Sequence, residues 1–171
     1  MIADSAKNKY RDSTTRDLYD LARIVDNCEH IHMFQRMCVL RDLENTYEMD
    51  LNTTYCSVAG TRKHVGASWS NCDHLAKALE MLHIIAGGEA AWRARPFVSQ
   101  SNCFVVPPMK FAKEALECLR VAVEGGMPVL LLSAGQAGAT TPATLAGAVR
   151  HAWAHGIGGL LYVNAIKPRA Q

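Results

Sequence analysis

This sequence has no charge excess, no long apolar run and no paired-cysteine motif, and each absence excludes a class of protein. Its 171 residues carry 18 lysines and arginines against 16 aspartates and glutamates, a net charge of +2. That balance gives no concentrated basic face, so we expect no nucleic-acid partner. No apolar run approaches the roughly 20 residues of a membrane helix, and the polar start MIADSAKNKYRDSTTRD has no signal-peptide core. We expect a cytoplasmic protein with no membrane partner.

The cysteines and histidines do not form a recognisable metal site. The six cysteines are widely spaced and never form CxxC, which indicates reduced, mostly buried thiols rather than a disulfide scaffold or zinc ribbon. Cys28, His30 and His32 alternate in CEHIH, but a structural zinc site needs four ligands. His151 and His155 have the spacing of HExxH without its glutamate, and we expect them to be solvated near a helix end. No metal is expected.

Helical and strand-like apolar segments alternate along the chain. The first apolar helical stripe follows the possible N-cap residues 13–15. The other four cover 46–59, from Asn71 or Asp73 to Gly87, from Pro107 to Gly125 and from Thr141 to Gly156. The strand-like segments are 30–34, 63–68, 97–106 (a strand that runs into a loop), 128–132 and 159–164. Their centres repeat about every 30 to 35 residues, the length of a βα unit, so the pattern predicts an α/β fold with a parallel sheet.

Five predicted strands are too few for a closed barrel, which needs eight units. The predicted order begins without a strand and stops just after one, which would leave an apolar edge strand uncovered. We therefore expect a single domain over 1–171 that is a partial (β/α)8 TIM barrel, a fragment of a longer protein. A small open doubly wound sheet is the alternative.

Neutral hydrogen-bonding residues follow the predicted strands at their carboxyl ends, where both architectures bind ligands. The candidate binding residues are Gln35, Ser68, Trp69, Ser101, Asn102, Ser133, Gln136 and Asn164. His64 and Glu89 are the titratable candidates for catalysis, and His64 would titrate near neutral pH. The glycine-rich segment SAGQAGAT resembles a phosphate loop but lacks both GxGxxG and GxxxxGK. The neutral strand-end side chains are better suited to binding a large polar cofactor or a cation than to catalysing hydrolysis.

Four segments also resemble one protein family: GTRKHVGAS, MLHIIAGGEAAWRARPFVSQSNCFVVPPMKFAKEAL, GGMPVLLLSAGQAGATTPATLAG and LLYVNAIKP. They are similar to the trimethylamine methyltransferases, over about Asp42 to Pro168. The resemblance implies a (β/α)8 barrel that moves a methyl group from a methylated amine to the Co(I) corrinoid of a partner protein. Trimethylamine, or a quaternary amine such as glycine betaine, would be the substrate. Because family members are much longer, it also implies that this chain is a central piece.

With that resemblance, the strand-end residues are expected to position substrate and corrinoid at a barrel mouth. Trp69 could present a cation–π face to a quaternary ammonium. The corrinoid would be carried by its cognate protein, with no cofactor bound directly by this chain, and self-association stays open. Two alternative interpretations stay open. The chain is a catalytically inactive barrel fragment, or it is a small open-sheet module that binds a phosphate ligand through SAGQAGAT.

Overall fold

The computed structural model describes residues 1–4 and 7–168. It has an α/β fold in which parallel strands alternate with helices, as in part of a (β/α)8 barrel. The chain falls into two compact units, Met1–Ser99 and Gln100–Gln171. In hydrogen-bonding order, the parallel strands are β3 (Met33–Gln35), β4 (His64–Ala67), β5 (Val98–Asn102) and β8 (Val129–Leu131). The predicted α/β class is confirmed, with four parallel strands among the described residues instead of five.

The first unit begins with a small antiparallel pair and continues as alternating helices and strands. Its elements are β1 (Ile2–Asp4), β2 (Lys9–Arg11), α1 (Thr15–Asp26), β3 (Met33–Gln35), α2 (Thr46–Gly60), β4 (His64–Ala67), α3 (Cys72–Ala86), α4 (Glu89–Ala94) and the start of β5 (Val98–Asn102). β3 and β4 are parallel, with Gln35 opposite Gly66. The N–H of Val65 donates to the carbonyl of Phe97 just before β5.

Local sequence signals explain the helix ends of this unit. Thr14 caps α1 in a reciprocal capping box with Asp17, and Asn71 caps α3 by accepting from the N–H of His74. Gly87 ends α3 in the left-handed conformation at φ 87°, which glycine adopts without steric cost. The predicted ends of these helices are thus close to those in the structure.

The second unit contains the end of β5 and the elements that follow it. These are β6 (Val105–Val106), β7 (Lys110–Phe111), α5 (Lys113–Glu124), β8 (Val129–Leu131) and α6 (Leu145–Ile166). Residues 100–102 of β5 run parallel to β8. The core of this unit consists of Phe104, Val105, Leu119, Val123 and Val163, so α5 and α6 both contribute to it.

Two predicted elements are wrong in this unit, and two others have different bounds. The segment 159–164, predicted as a strand, is the second half of α6. The prolines at 107 and 108 do not begin a helix: the chain there turns between β6 and β7, and α5 begins at Lys113. The segment 97–106, predicted as a strand that runs into a loop, contains β5 up to Asn102. The helix predicted from Thr141 begins at Leu145.

The first predicted strand is also displaced, because residues 30–32 precede β3 and only Met33 and Phe34 of the predicted segment lie in it. No helix in the described part of the chain combines the length and apolar character needed to cross a membrane.

Candidate functional site

In the first unit, three predicted binding residues lie at the carboxyl ends of β3 and β4. Gln35 is the last residue of β3, and Ser68 and Trp69 directly follow β4. The amide of Gln35 lies against Gly66, where any side chain would overlap it. Trp69 is buried, at 8% exposure, and its indole N–H donates to Oγ1 of Thr54 over 3.1 Å. Burial leaves little of the Trp69 ring accessible to a ligand.

A buried polar network that the sequence analysis missed lies beside this strand end. The carboxylate of Asp50 in α2 is 2.7 Å from Nδ1 of His74 in α3. The same carboxylate accepts from the backbone N–H of Ser70 at 2.8 Å and from its hydroxyl at 3.2 Å. Asp50 is 1% exposed and His74 9%. The network therefore joins both helices to the loop that follows β4.

The partners of His74 fix the direction of its hydrogen bonds. Its Nδ1 faces a carboxylate and must donate, whereas its Nε2 lies 3.2 Å from the side-chain amide nitrogen of Asn71 and must accept. Both ring nitrogens of His74 are therefore engaged with protein groups. This arrangement positions the loop carrying Trp69 and does not leave a free acid or base.

In the second unit, Ser133 follows β8 and bonds to a buried histidine. Its hydroxyl oxygen is 2.8 Å from Nδ1 of His155, and Nε2 of His155 accepts from the N–H of Met109 at 3.2 Å. Nδ1 therefore carries the proton and donates to the hydroxyl oxygen. His155 cannot act as a base toward Ser133 in this arrangement, and the hydroxyl proton of Ser133 is directed elsewhere.

The prediction that His155 is solvated near a helix end is wrong. It lies inside α6 and is 1% exposed, with its ring centroid 4.4 Å from that of His151. Burial lowers the pKa of His155 below its ordinary value, and the neighbouring His151 lowers it further. At neutral pH the His155 ring is therefore uncharged.

A cleft of about 310 Å³ opens beside Ser133. It is lined by Leu131, Ser133, Ala152, Trp153 and Gly156. It therefore combines a hydroxyl that can donate a hydrogen bond with apolar and aromatic surface, which is a composition typical of small-molecule sites.

The loop that contains Gln136 forms a closed turn. The carbonyl of Gln136 accepts from the N–H groups of residues 139, 140 and 141, and the N–H of Gln136 donates to Oγ1 of Thr140 at 2.9 Å. The first helical residue after it is Leu145, capped by Thr144. Four N–H groups that a phosphate loop would offer to a ligand are thus engaged within the protein, which weakens the phosphate interpretation.

The other predicted binding residues of the second unit lie apart from the cleft lining. Ser101 is buried within β5 at 8% exposure. Asn102 ends β5, and its side chain is outside what the structure describes. Asn164 lies on an exposed face of α6, where its amide donates to the carbonyl of Leu160 at 2.9 Å. The prediction that Asn164 ends a strand is wrong, because no strand forms there.

The two titratable candidates are not brought together within the first unit. His64 is the first residue of β4, at the opposite end of the strand from Ser68, and burial lowers its pKa. Glu89 is the first residue of α4 and forms a 2.8 Å ion pair with Arg93. The hydrogen bond from Arg93 lowers the pKa of Glu89, so that carboxyl is ionised at neutral pH.

The described residues contain no group of three or more histidine, cysteine or acidic side chains arranged to hold a metal ion. What they do contain is two polar clusters, one around the Asp50 carboxylate after β4 and a neutral one around Ser133 after β8. Such clusters can orient a substrate by hydrogen bonding, and neither has the nucleophile and free base of a hydrolase.

Comparisons with known proteins identify relatives along the whole chain. The family model described as trimethylamine methyltransferase (MTTB) matches residues 1–171. The trimethylamine methyltransferase MttB of Desulfitobacterium hafniense (strain DSM 10664 / DCB-2) is 30% identical over 146 residues, which cover 85% of this chain and 29% of that protein. MttB1 of Methanosarcina acetivorans is 28% identical, over 80% of this chain and 28% of the relative.

A relative with a different named substrate also matches. The glycine betaine methyltransferase of Desulfitobacterium hafniense (strain Y51) is 25% identical over 160 residues, covering 92% of this chain and 33% of that protein. The chain thus spans about three-tenths of the length of the curated relatives it matches.

Proposed function

Since this chain belongs to the trimethylamine methyltransferase family, we propose that its protein transfers a methyl group from a methylated amine to the Co(I) corrinoid of a partner protein. The observation that carries the proposal is the family match over all 171 residues. The named activities of the relatives point to trimethylamine or glycine betaine as the class of methyl donor.

The cleft beside Ser133 is the part of this chain that we assign to the substrate side of the reaction. The docked corrinoid would supply the Co(I) nucleophile that takes the methyl group. Its ring bears amide side chains, and the hydroxyl and amide groups at the strand ends fit such partners because they are neutral donors and acceptors. Ser133 supports this role because His155 occupies its oxygen and leaves its proton free to donate.

The charge state of the side chains favours a quaternary amine over a tertiary one. When the C–N bond of a quaternary ammonium breaks, the electron pair stays on nitrogen and a neutral amine leaves, so no acid is needed. A tertiary amine must first gain a proton. His155 is neutral and hydrogen-bonded at both ring nitrogens, and Glu89 is paired with Arg93. His64 and Glu89 remain predicted catalytic candidates, which the assay below tests directly.

A second candidate is that the chain by itself has no activity. The described residues form four parallel strands, against the eight that close a (β/α)8 barrel. In that case the chain would bind neither methyl donor nor corrinoid protein productively until the other strands were supplied.

One assay separates these candidates. The chain is tested alone and joined to the remaining barrel of the Desulfitobacterium MttB, with a corrinoid protein reduced to Co(I) and either glycine betaine or trimethylamine. Loss of Co(I) absorbance and release of the demethylated amine report transfer. Activity of either form with glycine betaine supports the proposal, and no transfer by the joined form with either amine rejects it.

Matched serine variants then test the cleft. We expect Ser133→Ala to lower transfer about fivefold or more, because the substrate loses a hydrogen bond worth about 1 kcal/mol or more. The control is Ser57→Ala, the same chemical change at a buried helix position whose hydroxyl only bonds to the carbonyl of Thr53. Equal effects of the two variants would remove Ser133 from the site. His64→Gln and Glu89→Gln, measured alongside, decide whether either group takes part.

A further inference from the structure

A cavity of about 290 Å³ lies in the first unit, at the amino-terminal ends of β4 and β5. Two of its lining residues, Lys63 and Phe97, directly precede those strands, and two others, Val58 and Ile85, lie in α2 and α3. The cavity is therefore at the opposite end of β4 from the polar cluster that follows this strand. It shares no residue with the cleft beside Ser133.

The apolar part of the lining is held in place by packing. Val65 is 1% exposed, and its N–H donates to the carbonyl of Phe97. The ring of Phe97 meets the buried ring of Trp92 edge to face, with the centroids 5.4 Å apart. Val58 and Ile85 add aliphatic surface from the two helices. An apolar lining of this kind, with a few polar groups, is typical of small-molecule sites.

Three cationic side chains complete this cavity: Arg62, Lys63 and Arg95. The ammonium of Lys63 donates to the carbonyls of Val25 and Cys28 near the end of α1, so neutral acceptors hold it and leave its charge uncompensated. Arg95 forms no ion pair or side-chain hydrogen bond with the residues that the structure describes. Among the described carboxylates, Asp26 alone pairs with one of the three, at 3.3 Å from Nη2 of Arg62. Positive charge therefore exceeds negative charge around the cavity, which favours an anion.

The place of β4 in the sheet means that this chain itself supplies the walls of the cavity. β4 lies between β3 and β5, so further strands of a longer barrel would join the sheet at its outer strands, β3 and β8. They would not insert between the two strands whose ends form the cavity.

We propose that this cavity binds a small amphipathic anion, whose apolar part covers Val65, Ile85 and Phe97 and whose carboxylate or phosphate head bonds to Arg95 and Lys63. A guanidinium offers two parallel N–H donors to either head group. Lys63 has one N–H left after its two bonds to carbonyls. The inference goes beyond methyl transfer and does not rest on it.

Isothermal titration calorimetry of the full chain with phenyl phosphate tests the proposal. We expect saturable one-to-one binding that Arg95→Gln weakens about tenfold or more, because charge-assisted hydrogen bonds are lost. The control is Arg120→Gln, which removes the same charge from an exposed residue of α5 and should leave the affinity unchanged. No binding at millimolar phenyl phosphate, or equal weakening by the two variants, would overturn the proposal.

Two adjacent isoleucines of α3 test the location. Ile85 lines the cavity, whereas Ile84 is 80% exposed and is not among the lining residues that the structure describes. Ile85→Glu places a carboxylate beside the bound anion and should weaken binding about tenfold or more. At about 0.15 M salt, where more distant charges are screened, Ile84→Glu should change the affinity little. Equal effects of the two variants would place the ligand elsewhere and contradict the proposal.

Three further ligands define the chemistry of the site. Benzoate compares the two head groups: tighter binding of phenyl phosphate identifies phosphate as the preferred head, tighter binding of benzoate identifies a carboxylate, and either result supports the proposal. Inorganic phosphate lacks the ring and phenol lacks the charge, so each should bind about tenfold or more weakly than phenyl phosphate. Equal affinity for inorganic phosphate or for phenol would reject an amphipathic anion site.

Discussion

Removing the Asp50 carboxylate is the sharpest perturbation of the first unit. Three hydrogen bonds converge on it, two from Ser70 and one from His74, and each is charge-assisted because the acceptor is an anion. Asp50→Ala deletes all three and leaves the Nδ1–H of His74 buried without an acceptor. Losing hydrogen bonds to a charged acceptor and leaving a buried donor unsatisfied costs about 1.5–3 kcal/mol, a large share of the 5–15 kcal/mol that holds a typical domain folded.

An isosteric variant separates charge from geometry. In Asp50→Asn, the amide oxygen can still accept from His74 and from the Ser70 backbone, while the amide nitrogen donates to the Ser70 hydroxyl. Only charge assistance is lost, so we expect a smaller cost of about 1–2 kcal/mol. The control is Asp20→Ala, which removes a half-exposed carboxylate paired with Arg16 and should cost less than about 0.5 kcal/mol.

Urea unfolding and hydrogen exchange measure these differences. At a slope of about 2 kcal/mol per molar urea, Asp50→Ala should lower the midpoint by about 0.75–1.5 M. The backbone N–H of Ser70 should also exchange faster than other protected amides, because its acceptor is gone. If Asp50→Ala shifts the midpoint no more than Asp20→Ala does, the network does not hold the loop after β4, and the reasoning fails.

Three further predictions test α6 and Glu89. Gly159→Ala should destabilise the chain by about 1–3 kcal/mol, since its Cβ would overlap the ring of Phe104. Gly156→Ala, with open space around it, should stabilise the same helix by up to about 1 kcal/mol; thermal unfolding compares the pair, and equal effects would contradict this packing. Because the pKa of His155 is lowered in the folded state, stability is full above about pH 6.5 and falls as the pH drops toward the folded pKa. His155→Gln should flatten that fall below about pH 6.5, and an unchanged dependence of the urea midpoint on pH would refute it. For the exposed Glu89, Glu89→Gln should leave the unfolding midpoint unchanged, so a loss of methyl transfer in that variant would show a catalytic role rather than a structural one.

The parts of the fold that sequence reasoning predicted well have strong local signals. Thr14 and Asn71 cap α1 and α3, and Gly87 ends α3, so those boundaries follow from short-range chemistry. α5 has no such signal: its N-cap is Ala112, without a side-chain hydrogen bond. Pro107 and Pro108 were therefore predicted to begin the helix, although they lie in the turn between β6 and β7.

The position of Ser133 after a strand was predicted from the apolar segment before it, and its role in a site stays a prediction. The partners that tertiary pairing supplies were missed. The buried partners Asp50, His74 and His155 come from helices distant in sequence, and no local pattern links them. One signal was present for Asp50, since it shares a helix face with Thr53, Thr54 and Ser57, all buried. A polar row of this kind on a buried face requires internal hydrogen-bond partners.

The segment 159–164 was predicted to be a strand because six mostly apolar residues after glycines are ambiguous between strand and helix by periodicity within so short a window. A longer window removes the ambiguity. The buried row from His155 to Val163 and the exposed row from Leu145 to Leu161 keep a four-residue period through the glycines without a break. Gly159 is not a helix breaker here, because it is the position where the ring of Phe104 packs against the helix.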